Sequence, residues 1–209
     1  MFYDTRSFPF VETLERNWKT IRREVELVAQ EEFETYKNFT PWKVFIFRKG
    51  LDPRKIERYP ENCARCPETA AIIESIPGVT SATFSRLLPG THLWPHRCPN
   101  TRVRCHLGLV IVDGCAINVG GMVRGWEEGK CMIFNARHLH EAWNRNTQPR
   151  TVLLVDVLPE TLSAPPESFA IPKTTLEAAS GMWLNARYVA RKNWEKISGG
   201  PNGDHGHDA

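Results

Sequence analysis

The segment TRVRCHLGLVIV, residues 101–112, alternates polar and apolar side chains, and this alternation is the period of a β-strand. The apolar face carries Val103, Cys105, Leu107, Leu109 and Ile111, and the opposite face carries Arg102, Arg104, His106 and Gly108. The apolar face is therefore expected to pack on a core. The strand alone leaves open whether the opposite face meets solvent or a polar interior.

Further β-type segments lie on both sides of this strand between Val79 and Val157, separated by Pro, Gly, Asn and Asp. They cover residues 82–88, 115–119, 130–134, 140–144 and 150–157. Several short strands at regular spacing predict a β-sandwich or a β-barrel. The core of the fold is thus predicted over residues 79–157.

The flanks of this region predict helices and loops. Apolar side chains three and four residues apart between Val11 and Val28 predict one amphipathic helix of about 20 residues, packed on the core. Residues 43–47 predict a strand, residues 50–67 a polar loop and residues 68–76 a short helix. We therefore expect a main domain over residues 1–160, an extension with a helix over 161–198, and a disordered tail over 199–209.

Composition excludes several classes of protein. The 209 residues, 41% hydrophobic and 24% charged, are typical of one globular domain. A net charge of +3 with scattered basic residues argues against a nucleic-acid partner. With no run of about 18 apolar residues and no signal peptide, we expect a cytoplasmic protein without a membrane span. Cys63 and Cys66 are expected to form a loop disulfide or to remain thiols, rather than to bind zinc.

Two histidines and an arginine on separate predicted strands point to chemistry. His96 ends the run Trp94-Pro95-His96, His140 begins a later strand, and Arg150 follows ten residues after His140 at the start of an apolar strand. An arginine in such a strand needs an anionic partner. Two imidazoles with such an arginine are the layout of a non-haem Fe(II) oxygenase, in which the arginine pairs with a carboxylate of 2-oxoglutarate.

The third ligand of such a site is missing. Iron sites of this class usually have an Asp or Glu two residues after the first histidine, and Cys98 occupies that position. Three interpretations remain open. The site holds iron with two histidines and water, it is a softer site that uses the Cys98 thiolate, or it binds no metal.

Several motifs together resemble the aspartyl/asparaginyl β-hydroxylase family. They are Phe2-Tyr3-Asp4-Thr5, Leu88-Pro89-Gly90-Thr91-His92-Leu93-Trp94-Pro95-His96, Arg102-Val103-Arg104-Cys105-His106-Leu107-Gly108-Leu109-Val110, Trp126-Glu127-Glu128-Gly129-Lys130 and His140-Glu141-Ala142-Trp143. The resemblance runs through about Val157. It implies a double-stranded β-helix, a jelly roll of the cupin type, with flanking helices. It also implies a dioxygenase that uses Fe(II), 2-oxoglutarate and O2.

The resemblance assigns roles to individual residues. It implies that His96 and His140 bind the iron, and that Arg150 and Ser85 bind 2-oxoglutarate. Arg104 and His106 correspond to further contacts with the cosubstrate or with the substrate beside it, and Arg102 to a contact with a substrate carboxylate. The resemblance also implies an iron site with two histidines and no acidic third ligand. Trp94, Trp126 and Trp143 are expected to line the barrel.

The implied reaction is hydroxylation of an unactivated C–H bond. The leading candidate is the β-carbon of an Asp or Asn residue, or of a related small carboxylate, amide or biosynthetic intermediate. The chain has no room for the helical repeat domains of larger family members, which favours a smaller substrate. The alternatives are hydroxylation of a lipid acyl chain and a non-catalytic cupin that binds a metal or ligand.

Overall fold

A computed structural model describes residues 2–36, 41–50, 52, 54–98 and 103–158 of the chain. The described residues form two β-sheets that face each other, with four short helices. The larger sheet contains β1 (Glu34–Thr35), β2 (Trp42–Lys49), β3 (Glu57–Arg58), β4 (Val79–Leu87), β6 (Val103–Val110), β9 (Cys131–Asn135) and β11 (Arg150–Val157). The smaller sheet contains β5 (His92–His96), β7 (Cys115–Val119), β8 (Met122–Arg124) and β10 (His140–Asn144).

All strand pairs are antiparallel, and the chain crosses between the sheets repeatedly. The larger sheet has the order β1-β2-β4-β11-β6-β9, with β3 paired to β2, and the smaller has the order β5-β10-β7-β8. This arrangement is a double-stranded β-helix, so the predicted fold is confirmed. The six predicted strands between residues 79 and 157 are present, and β5 and β8 are two that the alternation does not reveal.

The outer face of the larger sheet packs against the helices α1 (Phe10–Arg16), α2 (Trp18–Leu27), α3 (Pro60–Arg65) and α4 (Pro67–Glu74). Leu14, Ile21 and Val25 on the helices join Leu107 and Val155 of the sheet in one buried cluster. The amphipathic stripe at the N-terminus is therefore a core face, as predicted. Burial of such side chains stabilises the fold by about 1.5–3 kcal/mol each.

The inner face of the larger sheet packs against the smaller sheet around a second apolar cluster, which includes Val152 of β11 and Ile117 of β7. On β6, Cys105 faces the helices, whereas His106 is buried on the inner side, against Phe134. Of the two alternatives for the polar face of β6, solvent and a polar interior, the position of His106 supports the interior. The polar face of this strand lies in a polar part of the interior.

Two predictions about the flanks are wrong. The N-terminal stripe belongs to two helices that meet at Asn17, whose side chain donates to the carbonyl oxygen of Thr13 (2.8 Å) and whose ψ of 7° leaves the helical range. The stripe continues across this break, so periodicity does not reveal it. The predicted loop over residues 50–67 contains α3, which begins at Pro60. Pro67 separates α3 from α4, because a residue before proline, here Cys66, avoids helical dihedrals.

Several expectations lie outside the described residues: Arg102, the helix of the extension over 161–198, and the tail over 199–209. Among the residues that are described, no helix is both long and apolar enough to cross a lipid bilayer. Cys63 and Cys66 are free thiols, which is one of the two predicted alternatives; they do not form a disulfide with each other.

Candidate functional site

A β-bulge in β5 turns His96 into the interior. β5 pairs with β10 so that His140 lies opposite His96 and Ala142 lies opposite Leu93. Between these two pairs β5 advances by three residues and β10 by two, so β5 contains one extra residue. Residues directly opposite each other share a face, so His96 lies on the inner face with Leu93 and His140. In a regular strand, His96 would share the outer face with His92.

Two of the three tryptophans expected to line the barrel lie on its outer side, which corrects that expectation. Trp94 is 36% exposed, and Trp143, opposite His92, also lies on the outer face of the smaller sheet. Their rings contact His92 there, with centroids 4.5 Å (Trp94) and 6.2 Å (Trp143) from its ring. Of the three tryptophans expected to line the barrel, only Trp126 is buried in the inner cluster.

His96 and His140 have the geometry of a metal-binding pair. Their ring centroids lie 4.2 Å apart. Nδ1 of His96 contacts the carbonyl oxygen of Trp94 (2.7 Å), and Nδ1 of His140 contacts that of His138 (2.9 Å). Because a carbonyl oxygen only accepts, Nδ1 carries the proton in both rings and Nε2 carries the lone pair. Burial, followed by the charge of His96, lowers the pKa of His140 well below its usual range, so this ring is neutral. Neutral imidazole is the form that binds metals.

Cys98 lies beside the two histidines. Its Sγ and the ligand nitrogens of His96 and His140 all lie within 4.8 Å of one another. The backbone N–H of Cys98 donates to the carbonyl oxygen of Ala136 (2.9 Å). Nη1 of Arg104 donates to the sulfur at 3.4 Å. The residue at the usual position of the acidic ligand is thus held next to the histidine pair.

Asp156, a residue that the sequence analysis left without a role, pairs with Arg104. The two residues are opposite each other on β11 and β6, and the guanidinium donates to both carboxylate oxygens, from Nε at 2.8 Å and from Nη2 at 2.7 Å. Burial works against the charge of Arg104, but the carboxylate outweighs it and raises the pKa of Arg104. An aspartate inside an apolar strand, on the same face as Arg150, was the available signal.

Arg150 lies in the interior without an acidic partner among the described residues. It is 2% exposed, its Nε and Nη1 have no hydrogen-bond acceptor, and its guanidinium carbon lies 4.2 Å from the centre of the Trp126 ring. Burial lowers the pKa of Arg150 to about 10. A buried charged donor without an acceptor costs several kcal/mol. The residue therefore requires an anion that the described side chains do not supply.

Other buried polar groups without partners surround Arg150. Neither ring nitrogen of His106 nor Nε1 of Trp126 has a hydrogen-bond partner, and the two rings stack with centroids 6.0 Å apart. Gly108 allows this stacking, since a Cβ there would lie 2.1 Å from the carbonyl oxygen of Glu127. Ser85 is buried on β4, where its hydroxyl accepts from Nε1 of Trp42 (2.9 Å) and keeps a proton to donate.

Six of the seven predicted site residues therefore face the same interior, from both sheets. They are Ser85, His96, Arg104, His106, His140 and Arg150. The smaller sheet supplies the two histidines and the larger sheet supplies the cations. The arrangement places two imidazoles beside buried cations whose anionic partner the described side chains do not fully supply. Asp156 and Trp42 are partners in it that residue type and spacing do not single out.

Comparison with known proteins identifies relatives of this chain. Residues 15–159 match the family described as aspartyl/asparaginyl beta-hydroxylase. An ornithine lipid ester-linked acyl 2-hydroxylase of Rhizobium tropici is 39% identical over 170 residues, which cover 74% of this chain and 59% of that protein. The aspartyl/asparaginyl beta-hydroxylase of Mus musculus is 38% identical over 162 residues, which cover 70% of this chain and 21% of that protein.

Among solved structures, an oxidoreductase of the 2OG-Fe(II) oxygenase family from Burkholderia pseudomallei shares the fold. Its TM-score is 0.54 at 14% sequence identity, and the match covers 68% of this chain and 78% of that one. At this identity the similarity concerns the fold alone. The sequence relatives are longer than the part matched here, so this chain corresponds to a portion of each of them.

Proposed function

Because this chain belongs to the aspartyl/asparaginyl beta-hydroxylase family, we propose that it is an Fe(II)- and 2-oxoglutarate-dependent dioxygenase that hydroxylates an unactivated C–H bond. The observation that carries this proposal is the buried guanidinium of Arg150, which has no acceptor among the described residues. A carboxylate of 2-oxoglutarate would accept two N–H groups from it in a bidentate pair. Ser85 would donate its hydroxyl proton to the same carboxylate.

His96 and His140 would hold the iron through Nε2. Their Nδ1 protons are engaged by backbone carbonyl oxygens, which fix the tautomer and the ring orientation that a metal requires. When bound, iron with 2-oxoglutarate and O2 supplies the oxidative chemistry that amino-acid side chains lack. The two histidines leave coordination positions for the cosubstrate and O2.

Arg104 and Arg102 would orient the substrate. Asp156 fixes the Arg104 guanidinium and neutralises its charge, so that this residue aims a remaining N–H at the metal side of the interior. Arg102 is proposed to bind a substrate carboxylate or amide. The substrate class is therefore a small molecule or peptide that bears such a group, with the β-carbon of Asp or Asn as the leading target.

A lipid acyl chain is a second candidate target. The relative from Rhizobium tropici, which is named as an ornithine lipid acyl 2-hydroxylase, matches 74% of this chain at 39% identity. Its position of attack, carbon 2 of an acyl chain, is like the β-carbon of Asp in being an unactivated C–H next to a polar group. Both candidates place a carbonyl group close to the reacting carbon.

The test is reconstitution of the full chain with Fe(II) and 2-oxoglutarate without oxygen, followed by addition of O2 and measurement of succinate. We expect wild-type protein to form succinate and His140→Ala to form none above background. His92→Ala is the matched control, because His92 lies on the outer face of the same sheet. Equal succinate formation by His140→Ala and wild type would contradict the proposal. Metal binding without succinate in wild type would identify a non-catalytic cupin.

The substrate candidates separate in the same assay. Mass spectrometry across Asp- and Asn-containing peptides, free amino acids and acyl lipids should show a gain of one oxygen in one class. Succinate formation that rises with that class would confirm coupling between the two half-reactions. A gain of oxygen confined to acyl lipids would exclude the Asp or Asn target.

A further inference from the structure

We propose that Cys98 is the third protein ligand of the metal, bound through its thiolate sulfur. The inference rests on the proposed function, which places a metal ion between His96 and His140. It departs from the two-histidine site that the family resemblance implies. It assigns a ligand to the position where related iron sites usually have an acidic residue.

The distances fit three ligands on one ion. The sulfur of Cys98 and the ligand nitrogens of the two histidines lie within 4.8 Å of one another. Three donors bound to one metal at about 2.0–2.3 Å lie about 3–4 Å apart. Small side-chain rotations therefore suffice to bring all three donors onto one ion.

The backbone holds Cys98 in this position. Its N–H donates to the carbonyl oxygen of Ala136 at 2.9 Å, and Ala136 directly follows β9 and is itself buried. His96 is fixed on the other side by the bulge of β5. The sulfur is thus placed by two strands that lie in different sheets.

Arg104 provides an independent observation. Its Nη1 donates to the sulfur at 3.4 Å, while its other nitrogens are held by Asp156 at 2.8 and 2.7 Å. An N–H donated to the sulfur suits a sulfur that carries negative charge as a metal ligand. Cys66 and Cys105, in contrast, are buried in the apolar cluster behind the larger sheet.

A sulfur ligand would change which metals the site prefers. A thiolate is a softer ligand than a carboxylate or water, and it favours Co(II) and Zn(II) over Mn(II). Loss of the sulfur should therefore weaken the binding of Co(II) and Zn(II) more than the binding of Mn(II).

The experiment is a titration of the metal-free full chain with Co(II) under anaerobic conditions, followed by absorption spectroscopy. A thiolate on Co(II) gives an intense near-ultraviolet charge-transfer band, which histidine ligands do not give. We expect this band in wild type and in Cys63→Ser, and its loss in Cys98→Ser and Cys98→Ala. Cys63 is the matched control, because it is a half-buried thiol on the helical side of the larger sheet. Circular dichroism confirms that each variant is folded.

The outcomes separate this inference from the proposed function. Co(II) binding by wild type without the band, or with a band that persists in Cys98→Ser, overturns the role of Cys98 and leaves the histidine pair in place. Absence of Co(II) binding in wild type overturns the metal site itself. Loss of the band in Cys98→Ser and Cys98→Ala, with visible Co(II) absorption retained, supports the thiolate ligand.

Discussion

Arg150 is a single residue whose burial demands an anion. We predict that Arg150→Met raises the stability of the ligand-free chain by about 1–2 kcal/mol, or roughly 2–8 °C in Tm, because it replaces a buried charge without an acceptor by an apolar side chain. The same variant should raise the KM for 2-oxoglutarate about 10–100-fold. Thermal unfolding and succinate formation measure the two effects.

Arg150→Lys is the control for this prediction, since it keeps the charge and loses the bidentate geometry. Its KM should lie between those of wild type and Arg150→Met. A decrease in Tm for Arg150→Met together with an unchanged KM would show that another residue binds the cosubstrate carboxylate.

His106 makes the stability of the metal-free chain depend on pH. Burial, followed by the positive charges of Arg150 and Arg104, lowers its pKa well below 6.5, so the folded state holds it neutral. The unfolded state takes up a proton below about pH 6.5, and stability therefore falls as pH falls through that value. We expect the decrease in Tm between about pH 7 and pH 5 to be smaller in His106→Phe.

The control for this pH dependence is the range above about pH 8, where the imidazole of His106 is neutral in both the folded and the unfolded state. In that range the difference in Tm between wild type and His106→Phe should not change with pH. A profile of His106→Phe that coincides with wild type would mean that other groups carry the dependence.

At the scale of elements, the number of residues between Leu93 and His96 decides whether His96 faces the metal site. We predict that deletion of both Trp94 and Pro95 places His96 opposite Glu141, turns it to the outer face and abolishes binding of Co(II), while circular dichroism shows a folded chain. Deletion of Pro95 alone is the control, because it removes the bulge but keeps His96 opposite His140, so Co(II) should still bind. Retained binding after the double deletion would show that the spacing does not set the direction of His96.

The same bulge shows what a sequence can predict of an element. Alternation identified β6, β7, β10 and β11 nearly to the residue, because each keeps one face in an apolar cluster. It could not foresee the outward position of Trp94, since a register shift arises from pairing with a distant strand. The pairing of Arg104 with Asp156 could not be predicted for the same reason. The two residues are 52 positions apart and meet only through the register of β6 and β11.

Site residues were easier to predict than their partners. His96, His140 and Arg150 follow from residue type and spacing, together with the resemblance to a known family. The neighbours that decide their state are distant along the chain, such as Trp126 beside Arg150 and Trp42 beside Ser85. Helix ends were also missed where the apolar pattern continues across a break, as it does at Asn17.

At the scale of the whole molecule, the site joins the two sheets. The smaller sheet carries the proposed metal ligands His96 and His140, and the larger sheet carries Arg150, which would bind the cosubstrate. A metal ion alone would be held by residues of one sheet and by the segment at Cys98. 2-Oxoglutarate bound to that ion and to Arg150 would link both sheets, so the two ligands should stabilise the fold together.

We therefore predict that Mn(II) and 2-oxoglutarate together raise the Tm by more than the sum of their separate effects. A ligand at 100 times its Kd stabilises by about 2.7 kcal/mol, which corresponds to roughly 5–10 °C for a domain of this size. His140→Ala should abolish the effect of the metal, and Arg150→Met should leave the metal effect and abolish the additional effect of 2-oxoglutarate. Strictly additive shifts in wild type, measured by differential scanning calorimetry, would mean that the two ligands do not meet between the sheets.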